Sequence, residues 1–475
     1  MKLFYLIKGL KCRVNGNLNL DIKSLCHKDS DVKNNSLFFC LNGRHYKGDE
    51  FALNAIKNGA TAIVVEKELI GVSVTQIIVK DTRVAMSLMA ARFFGSPAKK
   101  LKIIGVTGTN GKTTITHVLA EVFSMLGKNV AIVGTNGIVF SGKKYDLGMT
   151  TPDPIDMHKY FFEMLKKNVE YVFMEVSAHA LDLKKVEGIV FDAMIFTNLT
   201  EDHLDYFETM QNYFEAKKKA FLSNRTKLAI VNVDDDYGRE LVYRIKTPQI
   251  TYSICRESDV KASGIVLDGV RQKFFVEDVS FDSALIGEFN ISNILSVIAL
   301  LKHYGYDLNK VSQLINKVSV VDGRFNTIMI NERLFIVDYA HTPDGLMNVL
   351  KLCRKLKKET SKLICVFGCG GNRETQKRAI MGEISSKIAD FSIITSDNPR
   401  FEDKFKIARD IESGIINQNY EVVIDRKDAI KRAYEISLSG DIVLVAGKGC
   451  ENYIDENGIK TPYRDMEEIK KQRGI

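Results

Sequence analysis

The sequence predicts an α/β protein of three domains: a small N-terminal α/β domain, a central phosphate-binding domain on a parallel sheet, and a C-terminal Rossmann-like α/β domain. Three observations carry this expectation. The chain has 475 residues, which is long for one domain. Its β-branched apolar runs alternate with helical patterns, as in a parallel sheet covered on both faces. The segment GVTGTNGKTT, Gly105 to Thr114, joins an apolar run to a helical pattern as strand, glycine turn and helix.

Residues 1–98 alternate short strands and helices. Leu37 to Gly43 reads as strand and turn, Phe51 to Gly59 as a helix with a glycine stop, and Thr61 to Glu66 as a strand. A helix from Val84 to Phe94 stops near Gly95 and Pro97, which marks the first boundary. Residues 99–320 contain apolar strands at Val130 to Gly134, Tyr171 to Ser177, Ala193 to Leu199 and Leu228 to Asp234. The less regular stretch Tyr252 to Phe281 suits antiparallel strands. Residues 321–475 resume the α/β rhythm, with strands at Leu334 to Ala340, Leu363 to Gly368, Phe391 to Asp397, Tyr420 to Asp425 and Asp441 to Gly447. Each of these runs into polar or glycine residues, where open α/β sheets keep their ligands.

Composition narrows the class. Net charge is +8 but the Lys and Arg residues are scattered, which fits mild attraction for anionic substrates and no nucleic-acid stripe. The eight cysteines are irregularly spaced without a CxxC, and the pair Cys365 and Cys369 has no second cluster to complete a zinc site, so free thiols in a reducing cytoplasm are expected. The N-terminal apolar part is too short for a signal peptide, and no apolar run approaches the ~18 residues of a membrane span.

The glycine turn is a phosphate cradle. Backbone N–H groups and a helix N-terminus face the anion, Lys112 adds charge, and the Thr113 hydroxyl can reach magnesium. It departs from a strict Walker A motif because Val106 stands where the first glycine belongs. Glu175 closes an apolar strand, where a carboxylate can hold magnesium against bound phosphates. Thr197 to Phe221 places His203 near a strand end and Lys217 on an amphipathic helix, within a Lys217 to Lys219 run that would by itself be a solvated face.

GTNGKTT (Gly108 to Thr114) resembles the loop of Mur ligases and folylpolyglutamate synthetases. With MEVSAHAL (Met174 to Leu181), FTNLTEDHLDYF and YFEAKKKAF following in order, the chain resembles the Mur ligase family over essentially its whole length. The resemblance implies a uridine-binding N-terminal domain, a central ATP-binding domain and a C-terminal amino-acid-binding domain. It implies ATP-dependent ligation in peptidoglycan precursor synthesis, through an acyl phosphate and with magnesium, in the cytoplasm, by a monomer. For ATP it implies Gly108, Thr109, Asn110, Gly111, Lys112, Thr113, Thr114, Asn290, Arg324, Asp338 and His341. For metal it implies Thr113, Glu175, His203 and Lys217, the last carbamylated by CO2. A carbamate turns a cation into an anionic oxygen ligand, and it needs a neutral amine of the kind a buried lysine supplies.

The same resemblance assigns Ser30, Thr150, Thr151, Ser177 and Lys185 to UDP-N-acetylmuramoyl-L-alanyl-D-glutamate. The DNPR box, Asp397, Asn398, Pro399 and Arg400, resembles the signature of the members that add meso-2,6-diaminopimelate, with Arg373, Gly447 and Glu451 in the same pocket. A guanidinium fork matches the distal carboxylate of that amino acid and repels the ammonium that lysine carries there. Glu451 is placed to pair with the distal ammonium. The chain departs from the family pattern at Cys450, where histidine is usual, at His27 to Asp31, at Lys185, where arginine is usual, and at Phe401 to Lys404, which lacks a proline. Ligation of L-lysine or of another diamino acid such as lanthionine stays open, as does a non-catalytic nucleotide-binding regulator. The retained Lys112, Glu175 and Lys217 weigh against the regulator.

Overall fold

In the computed structural model, which describes residues 1–43, 46–268 and 271–474, the chain folds around three main sheets taken in chain order. The first has the strand order Cys12–Asn15, Thr75–Val79, Ala60–Val65, Ser36–Phe39, Ser24–Cys26, parallel except for its first pair. Helix Thr82–Phe93 packs on it and begins at Asp81, whose carboxylate accepts from the N–H groups of Arg83 and Val84, a standard N-cap.

At the centre of the second sheet lie six parallel strands in the order Val130–Gly134, Tyr171–Glu175, Lys102–Thr107, Ala193–Phe196, Ala229–Asn232, Gln249–Ser253. Successive side chains go to opposite faces. Ile104 and Val106 join a core with helices Lys112–Met125 and Glu288–His303, while Ile103 joins the opposite core with Met157, Phe161 and Phe214. Burial on both faces explains the continuous apolar runs of the sequence. Val260–Asp268, Arg271–Val276 and Val279–Ser283 extend one edge, the last two pairings antiparallel as expected for Tyr252 to Phe281, apart from residues 269 and 270, which lie outside the described residues. The other edge carries a hairpin, Gly137–Phe140 with Lys143–Tyr145, that the sequence pattern does not separate because its outer strand is short and polar.

The third sheet runs Asn326–Ile330, Arg333–Asp338, Ile442–Ala446, Leu363–Phe367, Phe391–Ile394, Tyr420–Val422, all parallel but the first pair. The edge strand Asn326–Ile330 and a ribbon, Tyr453–Glu456 with Ile459–Pro462, are additions to the expected elements. The carboxyl ends of the second and third sheets converge on one cleft, the place that open α/β sheets offer to ligands. No helix among the described residues is long and apolar enough to cross a membrane.

Candidate active site

The loop after Lys102–Thr107 is held tightly. Gly108 and Gly111 have φ +150° and +89°, and a Cβ there would sit 1.8 Å from Thr197 Oγ1 and 2.5 Å from Asn293 Oδ1. Only glycine fits this close approach. Helix Lys112–Met125 starts at Gly111 with no side-chain cap, which leaves its leading N–H groups for an anion. Asn198 Oδ1 braces the loop by accepting from the Asn110 N–H at 2.9 Å. Lys112 Nζ folds back onto the carbonyls of Gly108 and Thr109 at 3.0 and 2.8 Å, and burial lowers its pKa.

Glu175 is fully buried at the end of its strand and accepts only from neutral donors: the Thr113 hydroxyl, the Thr135 N–H and the Thr135 hydroxyl, each at 3.0 Å. It forms no salt bridge among the described residues. A buried carboxylate bonded to neutral donors, with Lys112 nearby as a cation, suits a divalent cation. Lys217 is also buried, donates to the Gly108 carbonyl at 2.9 Å and lies 4.6 Å from the Tyr213 ring centre. Burial, with Lys112 nearby, drives its pKa well below the lysine value, which favours the neutral amine that a carbamate requires. Its neighbours in sequence turn outward: Lys218 pairs with Glu215 and Lys219 with Asp182.

His203 follows the end of strand Ala193–Phe196 after a loop. It sits in the left-handed region, φ +60°, at the start of the short helix Leu204–Phe207. Its Nε2 is 3.3 Å from Asp202 Oδ2, its ring is edge-on to His179, and burial pushes its pKa down to about 3, so it is neutral. Glu175 and His203 line the same cleft, with Lys217 behind the glycine loop. Among the described residues no three His, Cys, Asp or Glu side chains form a ready cage. Magnesium commonly uses one or two carboxylates with waters and phosphates, so Glu175 beside the Thr113 hydroxyl could hold it. Cys365 and Cys369 are buried packing residues, with Cys369 against the Met381 sulfur at 3.7 Å.

The C-terminal part reaches across to the loop. Arg324 Nη2 donates to Thr113 Oγ1 at 3.0 Å and its guanidinium stacks 4.6 Å from the Tyr339 ring centre. Arg324 Nε is buried with no hydrogen-bond partner among the described residues, a donor left for an incoming anion. Asp338 anchors this region by accepting from the N–H groups of Phe325 and Ala340, both at 2.8 Å. His341 Nδ1 donates to the Tyr339 carbonyl at 2.8 Å, and burial lowers its pKa to about 4. A cavity of about 520 Å³ beside the loop is lined by Thr114, Asn290, Asp338 and His341, and Asn110 closes its wall by donating to Asp344 at 3.0 Å.

The adjoining cleft, about 430 Å³, brings Thr109, Lys112 and Glu175 together with Arg373, Arg400 and Glu451. Arg400 takes φ +51° because its N–H and carbonyl pair with Asp455 and Asn457 of the ribbon, and its Nη1 donates to the Gly371 carbonyl at 2.7 Å. Asp397, Asn398 and Gly447 line the same wall, whereas the Pro399 carbonyl accepts from Glu402 and Pro399 is not part of the lining. Thr150, Thr151, Ser177 and Lys185 gather at the other end. The Thr151 hydroxyl links the Glu175 carbonyl and the Ser177 N–H, and Lys185 pairs with Asp153 at 2.9 Å. Ser30 is exposed on the turn Asp29–Asp31, bonded to Asp31, and does not line this cleft. His27, three residues earlier, reaches Asp153 at 3.6 Å instead.

Asn198, Asp153, Asp344 and Lys448 escape the sequence reading. Only Lys448 carried a signal, standing between two glycines after an apolar strand.

A nucleotide loop on a parallel sheet, faced by an arginine from the segment leading into a following Rossmann-like sheet, is the arrangement of an ATP-dependent carboxylate ligase, and the chain belongs to the Mur ligase family. Residues 106–301 match the Mur ligase middle domain and residues 323–449 the Mur ligase, glutamate ligase domain. It is 40% identical to UDP-N-acetylmuramoyl-L-alanyl-D-glutamate--2,6-diaminopimelate ligase 1 of Clostridium acetobutylicum, over 99% of this chain and 98% of that protein. It is 38% identical to the Aquifex aeolicus protein called UDP-N-acetylmuramoyl-L-alanyl-D-glutamate--2,6-diaminopimelate ligase, over 95% and 94%. A solved structure bearing that ligase name superposes with TM-score 0.70 at 30% identity, over 100% of this chain and 99% of that one.

Proposed function

We propose that the chain is an ATP-dependent ligase that joins 2,6-diaminopimelate to the D-glutamyl γ-carboxylate of UDP-N-acetylmuramoyl-L-alanyl-D-glutamate in peptidoglycan precursor synthesis. The reading rests above all on one cleft that is lined both by the glycine loop and by Arg400 beside Glu451. In this reading residues 1–98, 99–320 and 321–475 are the uridine, ATP and amino-acid domains of a cytoplasmic monomer.

The phosphates of ATP lie on the N–H groups from Gly108 to Thr114, and the base enters the cavity beside Asn290. Lys112 leaves its carbonyls for the phosphates. Arg324 aims its unused Nε–H at the transferring group, while Asp338 and His341 hold the segment that carries it. Thr113, Glu175, His203 and carbamylated Lys217 would hold magnesium, which supplies charge neutralisation at the phosphates. Thr150, Thr151, Ser177 and Lys185 orient the muramoyl peptide. A γ-carboxylate oxygen bonds to the terminal phosphorus as the bond to ADP breaks. Arg400 and Arg373 hold the distal carboxylate of diaminopimelate and Glu451 its ammonium. The neutral amine at the other end then attacks the acyl carbon. The tetrahedral species expels phosphate and the nitrogen loses a proton. Catalysis is positioning and charge, and no side chain serves as a nucleophile.

The test is phosphate release from ATP with the muramoyl dipeptide and a panel of diaminopimelate, L-lysine and lanthionine. Turnover with diaminopimelate and little with lysine is expected. Turnover with lysine alone overturns the pocket assignment, and none with any amino acid favours a regulator.

A further inference from the structure

Lys448 is a wholly buried lysine that the mechanism above does not use. It stands between two glycines that bring the segment close against its neighbours. Gly447 and Gly449 have φ +111° and +52°, and a Cβ on either would meet a neighbour, Asp397 Oδ2 or Tyr339 Cβ, at 2.7 Å. The ammonium then meets three partners: Asn398 Oδ1 at 2.9 Å, Glu451 Oε2 at 3.2 Å and Asp397 Oδ1 at 3.6 Å. Asn398 Nδ2 closes the triangle by donating to the same Glu451 oxygen at 2.8 Å. Both bonds fall on Oε2, which leaves Oε1 for the cleft.

We propose that Lys448 is a positioning residue that determines specificity: clamped between Asn398 and Glu451, it fixes Glu451 as an oriented anion for the ammonium of the incoming diamino acid. The proposal deepens the ligase reading and rests on it. A buried ammonium is expensive to keep, and an apolar side chain would fill the space at lower cost. What Lys448 supplies is charge balance. Two carboxylates, Asp397 and Glu451, share the wall and one ammonium, while Arg426, which also acts on Asp397, is spent on Asp465; with Arg400 left for the substrate, one negative charge of the pair is uncompensated. That charge matches one substrate ammonium, while Arg400 across the cleft matches the carboxylate. Without Lys448 the two acids repel, Glu451 takes a proton, and its hold on the substrate nitrogen is lost. Asp397, Lys448, Tyr339, Cys450 and Tyr453 are the titratable groups facing Glu451. Burial and Asp397 push its pKa up, and Lys448 is the one cation among these that holds it down.

The experiment is steady-state phosphate release by K448M, K448R and wild type, with diaminopimelate and ATP varied in turn between pH 6 and 9. In K448M the KM for diaminopimelate should rise at least about tenfold while that for ATP stays within about twofold. The acid limb of kcat/KM for diaminopimelate should move to higher pH, and K448R should recover part of the loss. An unchanged KM for diaminopimelate, equal rises for both substrates or an unmoved acid limb overturns the proposal. If K448M does not fold, E451Q is compared with E451Q/K448M, which removes the Glu451 carboxylate together with the ammonium and leaves Asp397 as the one remaining acid of the trio. Equal KM values for diaminopimelate support action through Glu451, and additive losses overturn it. Wild type lacking turnover counts against the ligase reading alone. The clamp is then scored by calorimetric binding of diaminopimelate to wild type and K448M, where equal affinity overturns it.

Discussion

Arg324 donates from Nη2 to the Thr113 hydroxyl at 3.0 Å, tying the approach to the third sheet to the glycine loop across 211 residues of chain. Through this bond the guanidinium, with its unpartnered Nε–H, is held against the glycine loop.

Replacing Arg324 by Ala is therefore expected to lower kcat by roughly a hundredfold, the usual loss when one donor to developing charge is removed. Lysine at this position should recover little, because it cannot bond Thr113 and a phosphoryl oxygen together. The check is phosphate release at saturating substrates. A change confined to the KM for ATP would mean that Arg324 binds the ground state only.

Lys217 gives a chemical signature. Burial and the nearby Lys112 lower its pKa, which favours the neutral amine able to combine with CO2. As pH falls towards that lowered value the amine takes a proton and the carbamate is lost. Activity should decline on the acid side and return on adding bicarbonate at neutral pH. Lys217→Ala should lose most turnover without losing its fold, and 13C-labelled bicarbonate should give a carbamate resonance in wild type only. Wild-type activity in the alanine variant would refute the modification.

Arg400→Ala should raise the KM for diaminopimelate far more than that for ATP, because in the proposed reading Arg400 lines the part of the cleft that takes the amino acid. Lysine there should rescue poorly, since one point charge replaces a planar pair of donors. Proportional effects on the two substrates would count against a carboxylate clamp.

His158 offers a stability test away from the site. Its ring nitrogens are buried without hydrogen-bond partners among the described residues, and burial lowers its pKa from 6.5 to about 4. Between these values the unfolded chain binds a proton that the folded protein does not, so stability falls as pH drops through that window. The full shift corresponds to roughly 3 kcal/mol. His158→Leu should flatten the loss of stability between pH 6.5 and 4 seen in urea unfolding. An unchanged pH slope would reassign the acid sensitivity to other groups, His203 and His341 among them.

What the sequence decided by itself is whatever local chain chemistry dictates. Parallel strands buried on both faces must be written as unbroken apolar runs, so most of the parallel strands of the second and third sheets were legible, whereas Gln249–Ser253, the short polar Lys143–Tyr145 and the edge strand Asn326–Ile330 were not. A loop that presses its backbone against neighbours must use glycine, so Gly108 and Gly111 marked the phosphate cradle. What only the tertiary structure decided is convergence between distant segments. The periodicity of Lys217, Lys218 and Lys219 does not say which one turns inward; only the family resemblance singled out Lys217. The helix must first dock on the sheet, which buries Lys217 behind Gly108 and leaves the other two to surface acids. The bond of Arg324 to Thr113, the link from Asp153 to both His27 and Lys185, and the ammonium of Lys448 between Asn398 and Glu451 have no counterpart in spacing or pattern. Polar side chains acquire roles from the groups that folding brings within about 3 Å of them, and at that range charge and burial, not sequence neighbours, set what each can do.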